Sequence, residues 1–359
     1  MFKKLIVLMF AVAMATGCNL SEDISECVVC NINVRFTYNS DNVDKLIDDV
    51  HDIRIYVFEK DSRRLVRIID ASQQDIVRGW IRVDDLPAGR YDLSAWASSG
   101  ENLFGGGFME VEMDDAATSS YRPLMDDDET LIDDFYIMID HDLLPAEEIG
   151  DVASKEAGFN DLFHASVDGF ELKKGESQTV DFDLIRNANV LNVSVTGHEH
   201  IATRAMAGSG DRTRAGEVND LPFDLFVVGR NGRYRWDNSI DQNARLVRYR
   251  SPATVWGAEL RYGIKTLRLD LARHSVDPIL LHVTDSEQGW DLITPIDVIA
   301  ALGQVKDGEG NYMYATQEQL DRAYEFPIEI VVTPIENTDE LKVRLFINDW
   351  EIVDLVPEV

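Results

Sequence analysis

Alternation of apolar and polar residues with a period of two runs through most of this chain. Ile32, Val34, Phe36 and Tyr38 alternate with Asn33, Arg35 and Thr37. Successive side chains of a strand point to opposite faces, so this spacing predicts a strand with one buried face. The same period recurs in Val180, Phe182 and Leu184, in Leu191, Val193 and Val195, and in Leu267, Leu269 and Leu271. Near the end it returns in Phe326, Ile328, Ile330 and Val332, then in Leu341, Val343, Leu345 and Ile347. Half-buried strands of antiparallel sheets make such patterns, whereas parallel sheets covered on both faces read as continuous apolar runs. Strands separated by Gly, Pro, Asn and Asp clusters predict antiparallel β-sandwiches.

Helices are predicted to be few and short. Val43, Leu46, Ile47 and Val50 keep helical spacing over one or two turns. Thr294-Pro295-Ile296-Asp297 supplies an N-cap, a proline at the first helical position and an acid near N3, and Gly303 would stop that helix. Thr316-Gln317-Glu318-Gln319 is a capping box for a helix ending near Ala323. With no long connecting helix for a βαβ unit, the expected class is all-β with a few short helices.

The strand ending at Leu184 reads as closing one unit, and the strand from Leu191 as opening the next. The expected N-terminal sandwich is 31–188 and the C-terminal sandwich 189–359, joined near Asn187-Ala188-Asn189. Thr203 to Val218 is charged and aperiodic, an expected exposed loop. After Ile347 the alternation slips by one, since Trp350 and Ile352 keep the other phase. That slip predicts a bulge or tight turn at Asn348-Asp349, with Trp350 folding back as a packing residue.

The first thirty residues carry a different signal. Lys3 and Lys4 precede an apolar run from Leu5 to Ala15, then Thr16, Gly17 and Cys18. This is the form of a secretory signal peptide over 1–17, and the run is about half the ~20 residues a membrane-spanning helix needs. Small residues before the cysteine resemble the lipobox of bacterial lipoproteins, although Ala15 stands where leucine is usual. That resemblance implies a diacylglycerol on the Cys18 thiol and a third acyl chain on its amine, and so a membrane anchor. Two or more chains make a stable anchor where one is marginal. Residues 18–30 would form an acidic tether. The tether is similar to those that accompany lipoprotein export to the outer face of the outer membrane, and it reads equally as a spacer without a sorting role.

The formal net charge is −31, and loss of 1–17 removes two lysines and no acids. Such a chain repels nucleic acid and anionic head groups, which excludes both as charge-driven partners. With 45% hydrophobic residues it still has ample material for a core. Of its three cysteines, Cys27 and Cys30 form a CxxC. No second CxxC and no helix after Cys30 support a zinc or redox site. A local disulfide in an oxidising compartment is the preferred reading.

Candidate catalytic motifs are weak against this background. His198-Glu199-His200 lacks the four-residue helical spacing of a zincin, and a solvated loop or strand edge fits it better. Asp126-Asp127-Asp128-Glu129 lacks the ligand alternation and glycine of a calcium loop. Acid pairs such as Asp133-Asp134 carry little information in so acidic a chain, and no GxSxG elbow or phosphate loop occurs. No cofactor or metal is implied. Of six tryptophans, Trp96 lies in a strand pattern and reads as core. Trp236, in the polar Arg235-Trp236-Asp237-Asn238 stretch, is the best candidate for an exposed, ligand-stacking aromatic, although core or rim packing is the preferred reading there.

Taken in order, these features resemble the anchoring subunits of type V fimbriae. The carriers are Cys18, then Glu22-Asp23-Ile24-Ser25 with Cys27, the strand Asn33 to Tyr38, and Ile53-Arg54-Ile55-Tyr56-Val57-Phe58-Glu59. They continue with Leu86-Pro87-Ala88-Gly89-Arg90-Tyr91-Asp92-Leu93-Ser94-Ala95-Trp96-Ala97, and with Gln319-Leu320-Asp321-Arg322-Ala323-Tyr324-Glu325-Phe326. Ile347-Asn348-Asp349-Trp350-Glu351-Ile352-Val353 closes the series. Cys30 departs from that pattern, so the Cys27–Cys30 disulfide has no support from it. The resemblance implies two tandem transthyretin-like sandwiches and a non-enzymatic surface lipoprotein of the outer membrane. Its partners would be fimbrial structural subunits. The alternative is a surface glycan-binding lipoprotein.

Overall fold

The computed structural model describes residues 30–352 apart from 41–42, 105–106, 116–119, 125–129, 141, 144–148, 152–158, 202–222, 257, 288 and 337–340. Cys18, Cys27, the acidic run Asp126-Asp127-Asp128-Glu129 and the whole expected loop from Thr203 to Val218 lie outside the described residues. The fold is mostly β, with four short helices described.

The first strand, Cys30–Thr37, sits in the middle of a three-stranded sheet. Ser177–Asp183 runs parallel to it on one side and Trp80–Leu86 antiparallel on the other. Ile32, Val34 and Phe36 point inward and are buried, as the alternation requires. They pack on a five-stranded sheet ordered Ile185–Arg186, Leu162–Leu172, Gly89–Ser98, Asp52–Glu59, Leu65–Asp70. Ile53, Ile55, Val57, Leu93, Ala95 and Ala97 complete this first core.

The five-stranded sheet is buried on its other face as well. Tyr56, Phe58 and Trp96 point away from the first core into a second, larger one shared with the C-terminal half. The strand Gly89–Ser98 is therefore buried from Tyr91 to Ser98 without a break, including Asp92, Ser94 and Ser98. A sheet covered on both sides loses its two-phase hydrophobic pattern whatever the direction of its strands.

Two further sheets take strands from both halves. Phe135–Ile139 pairs with Arg233–Arg235, and Ile149–Asp151 pairs in parallel with Leu246–Arg250. The C-terminal half closes with a six-stranded sheet ordered Thr254–Trp256, Glu259–Leu267, Ala188–Thr196, Glu325–Pro334, Leu341–Ile347, Trp350–Ile352. Its inward residues Leu191, Val193, Val195, Ile328, Ile330 and Leu345 share the second core with Leu225, Val227, Leu281 and Val283 of the facing sheet. The polar break at Asn187-Ala188-Asn189 is buried, and Asn187 exchanges side-chain hydrogen bonds with Asn238 at 2.6 and 3.1 Å.

The helices follow their caps. The Thr316 hydroxyl accepts from the Gln319 N–H at 3.3 Å and the Gln319 side chain returns to the Thr316 N–H, so the helix Gln317–Arg322 forms as expected. The helix near Thr294 starts later than its sequence suggests. Ile296–Asp297 is captured as a short strand against Leu280 and Leu281, and Asp297 becomes the N-cap of Val298–Leu302, accepting from Ala300 N at 3.0 Å. A helix absent from the expectations, Gln73–Arg78, has its own capping box in Ser72 and Asp75 and ends at Gly79 with φ 71°. The strand expected over Leu267 to Leu271 instead ends at Leu267. Beyond it, the N–H groups of Leu269 and Leu271 donate to the side chains of Asn189 and Gln317, which takes them out of ladder pairing.

Candidate functional site

The two halves meet along a seam with its own aromatic and polar contacts. Trp96 is fully buried there, with the His164 ring at 4.4 Å and the Tyr234 ring at 5.8 Å. The Trp236 carbonyl accepts from the Ser94 hydroxyl at 2.6 Å and from His164 Nε2 at 2.9 Å. That bond fixes the proton on Nε2, because a carbonyl can only accept. Burial pushes the His164 pKa down to about 4, so the ring is neutral at physiological pH.

Charge closes the rim of the same seam. The Asp161 carboxylate accepts from Arg186 Nη2 at 2.6 Å and sits 2.6 Å from Lys265 Nζ. Lys265 also donates to the Phe159 carbonyl at 2.7 Å, and burial holds its pKa below the ordinary value. Between the five-stranded sheet and the strand Phe108–Asp115, Glu110 accepts from Tyr56 at 2.6 Å and from Arg54 at 2.7 Å. Seam residues such as Ser94 and His164 are missed by motif reasoning because each is an isolated polar residue in an apolar strand. Their polarity inside Leu93-Ser94-Ala95-Trp96 and Phe163-His164-Ala165 is the one signal available.

Trp236 is half-buried and packed against the main core. Its backbone carbonyl is what serves the seam. Among the described residues, the aromatic that stands furthest into solvent is Trp256, at 68% exposure, on the edge strand Thr254–Trp256. The Arg261 guanidinium lies 5.0 Å from its ring centroid.

The opposite edge of the same sheet corrects an expectation about Trp350. Asn348 and Asp349 have φ of 50° and 60°, the two left-handed positions of a two-residue hairpin turn. The phase slip is thus a tight turn, as its sequence suggests. Trp350, however, is 39% exposed rather than buried, while Ile352 is buried opposite Leu345. The turn returns the chain as an edge strand, which places Trp350 at the sheet's margin, where the facing layer does not cover it.

The remaining candidates do not converge. His198 to Ile201 form a helical turn after the strand Ala188–Thr196, with Glu199 3.9 Å from His198 and 3.6 Å from His200. Among the described residues no group of three or more His, Cys, Asp or Glu side chains is placed to hold a metal ion. Asp133 is held by Arg63 at 2.6 and 2.9 Å, which lowers its pKa, whereas burial raises that of Asp134. Cys30 opens the first strand, and no described helix is long and apolar enough to cross a membrane.

Residues 21–356 match the family described as fimbrillin-A associated anchor proteins Mfa1 and Mfa2. The chain belongs to this anchor family. Membership makes it a fimbrial-anchor-like protein of the cell surface, a structural role. The fold agrees with solved structures at low identity. The fimbrial anchor protein Mfa2 from Porphyromonas gingivalis is 17% identical with a TM-score of 0.60, over 90% of this chain and 98% of that one. A candidate adhesin from Bacteroides ovatus is 16% identical with a TM-score of 0.63, over 90% and 94%. A candidate polysaccharide-binding protein from Bacteroides thetaiotaomicron is 18% identical with a TM-score of 0.62, over 90% and 97%. No curated protein sequence matches the chain.

Proposed function

We propose that this anchor-family protein is a non-enzymatic lipoprotein of the outer membrane, facing the cell surface, that holds a fimbrial structural subunit at the base of a fibre. The family match over 21–356 carries the reading. Acyl chains on Cys18 would supply the hold on the membrane, since a chain of net charge −31 has no electrostatic affinity for anionic head groups. Residues 18–30 would serve as the tether, and 31–188 and 189–359 as the two sandwich units.

The free edge at Trp350–Ile352 is the favoured docking line. Its outer backbone groups have no strand beside them among the described residues, and Trp350 stands exposed at its start. An extended segment of a subunit added there gains backbone hydrogen bonds for affinity and side-chain alternation for register.

Two variants test the proposal. Cys18→Ala is expected to abolish fatty-acid labelling and to move both protein and fibres from the membrane fraction into the medium. Trp350→Ala, at an exposed position, is expected to leave thermal stability nearly unchanged while fibres detach. Continued sedimentation and labelling of the Cys18 variant would refute the lipid anchor. Normal fibre attachment in both Trp350→Ala and the edge-blocking Glu351→Pro would refute the docking line.

A further inference from the structure

The outward face of the six-stranded C-terminal sheet carries a depression of about 490 Å³ that fibre attachment at the far edge does not use. It lies between the edge strand Thr254–Trp256 and the strand Glu325–Pro334. Asn192, Ser194, Thr254, Glu259, Arg261 and Glu329 line it. Register makes these residues neighbours: Ser194 stands between Arg261 and Glu329, and Thr254 pairs with Arg261.

Gly263 forms the floor. It sits inside the strand Glu259–Leu267, opposite Asn192, and a Cβ built on it meets nothing within 4 Å. Its φ is not positive, so neither backbone conformation nor crowding calls for glycine here. Glycine weakens a strand interior and often marks a bulge, a tight bend, or close approach by a ligand or another backbone. Pairing with the neighbouring strand is regular through Gly263, so close approach is the reading that fits. Nothing within the described protein makes that approach.

Next to the lining residues Glu259 and Arg261 stands the exposed Trp256, paired across the ladder with Glu259. The Arg261 guanidinium, held by Glu259 at 2.9 and 3.0 Å, lies over one face of its ring and leaves the other face as the platform. We propose that this depression is a binding site for a neutral oligosaccharide. An indole offers a flat apolar platform to the C–H face of a pyranose ring. Carboxylates, an amide and hydroxyls around it match the sugar's hydroxyls as donors and acceptors. The volume falls within the ~300–1,000 Å³ usual for small-molecule sites.

Two competing ligands fit less well. The lining holds two carboxylates and one cation already paired to one of them, which disfavours an anionic sugar. An extended peptide binds a sheet along its edge through backbone groups, whereas this site presents side chains on a face. The site is independent of the anchor reading and lies at the other side of the sheet from Trp350.

Isothermal titration of the full protein in detergent with xylohexaose, cellohexaose and mannohexaose, and with a hexagalacturonate as anionic control, tests this. At least one neutral hexasaccharide is expected to bind, and the hexagalacturonate to bind more weakly. Trp256→Ala and Gly263→Val are each expected to cost about tenfold in Kd, equivalent to ~1.4 kcal/mol. Gly263→Val fills the floor with a good strand former, so its thermal midpoint should hold or rise, and fibre attachment should be intact in both variants. Absence of binding by all three neutral probes at about 5 mM, preference for the anionic control, or unchanged affinity in both variants would each overturn the assignment.

Discussion

His164 should make the protein acid-sensitive, by an amount that can be worked out. Its imidazole is neutral in the fold, with a pKa of about 4 against 6.5 for the free side chain. A base whose pKa is depressed on folding binds more protons when unfolded. Stability is therefore intact above pH 6.5 and falls as pH drops from there toward 4. At pH 4.5 the ratio of proton binding in the two states is about 80, or ~2.5 kcal/mol, while at pH 7.5 it is near zero. His164→Gln keeps an N–H for the Trp236 carbonyl and removes the titration. Urea unfolding of both proteins, followed by tryptophan fluorescence at pH 7.5 and 4.5, reads the difference, in which the shared carboxylates cancel. The variant should gain ~2.5 kcal/mol relative to the wild type on acidification. A relative change below about 0.5 kcal/mol, within the error of linear extrapolation, would refute a buried neutral His164.

Three further outcomes follow from the seam and the turns. Asp161→Asn leaves Arg186 and Lys265 without their shared anion; loss of one partner from a largely buried ion pair costs about 3–5 kcal/mol, measured by urea midpoint. Gly197 has φ 73° and an added Cβ would meet the Val332 carbonyl, so Gly197→Ala should lower the thermal midpoint by several degrees, ~1–3 kcal/mol. Asp349→Gly relieves a left-handed residue in the terminal hairpin turn and should stabilise by up to ~1 kcal/mol, seen as a higher midpoint; a fall would contradict the turn assignment.

Much of the fold is legible in the sequence because its outer sheets have one wet face. Ile32, Val34 and Phe36, Val180 and Phe182, and Leu191, Val193 and Val195 are all buried as their alternation requires. The central sheet is harder to read. Tyr56-Val57-Phe58 and Ser94-Ala95-Trp96 are buried on both sides, so their pattern does not say which layer lies where. The strands shared between halves, such as Phe135–Ile139 with Arg233–Arg235, are long-range pairings that no local signal encodes. Capping boxes are local, and Thr316 shows one found while Ser72-Gln73-Gln74-Asp75 shows one overlooked. Trp350 fails for another reason: phase gives the side of a strand, but not whether a facing layer extends far enough to cover it.

The placement of the first strand has a mechanical consequence. On the proposed reading, tension from a fibre reaches the membrane through the chain that enters at Cys30. That chain becomes the central strand of its sheet, bonded along Asn31 to Thr37 on one side and along Cys30 to Arg35 on the other. A pull along the strand axis loads both ladders in shear, so their hydrogen bonds must yield together. An edge strand pulled sideways would instead unzip one bond at a time. Resistance to forced extraction is set by the unfolding rate rather than by equilibrium stability. On that reading the tether would be fastened where slow rupture is easiest to achieve, and a fibre held there would outlast forces that peel an edge strand.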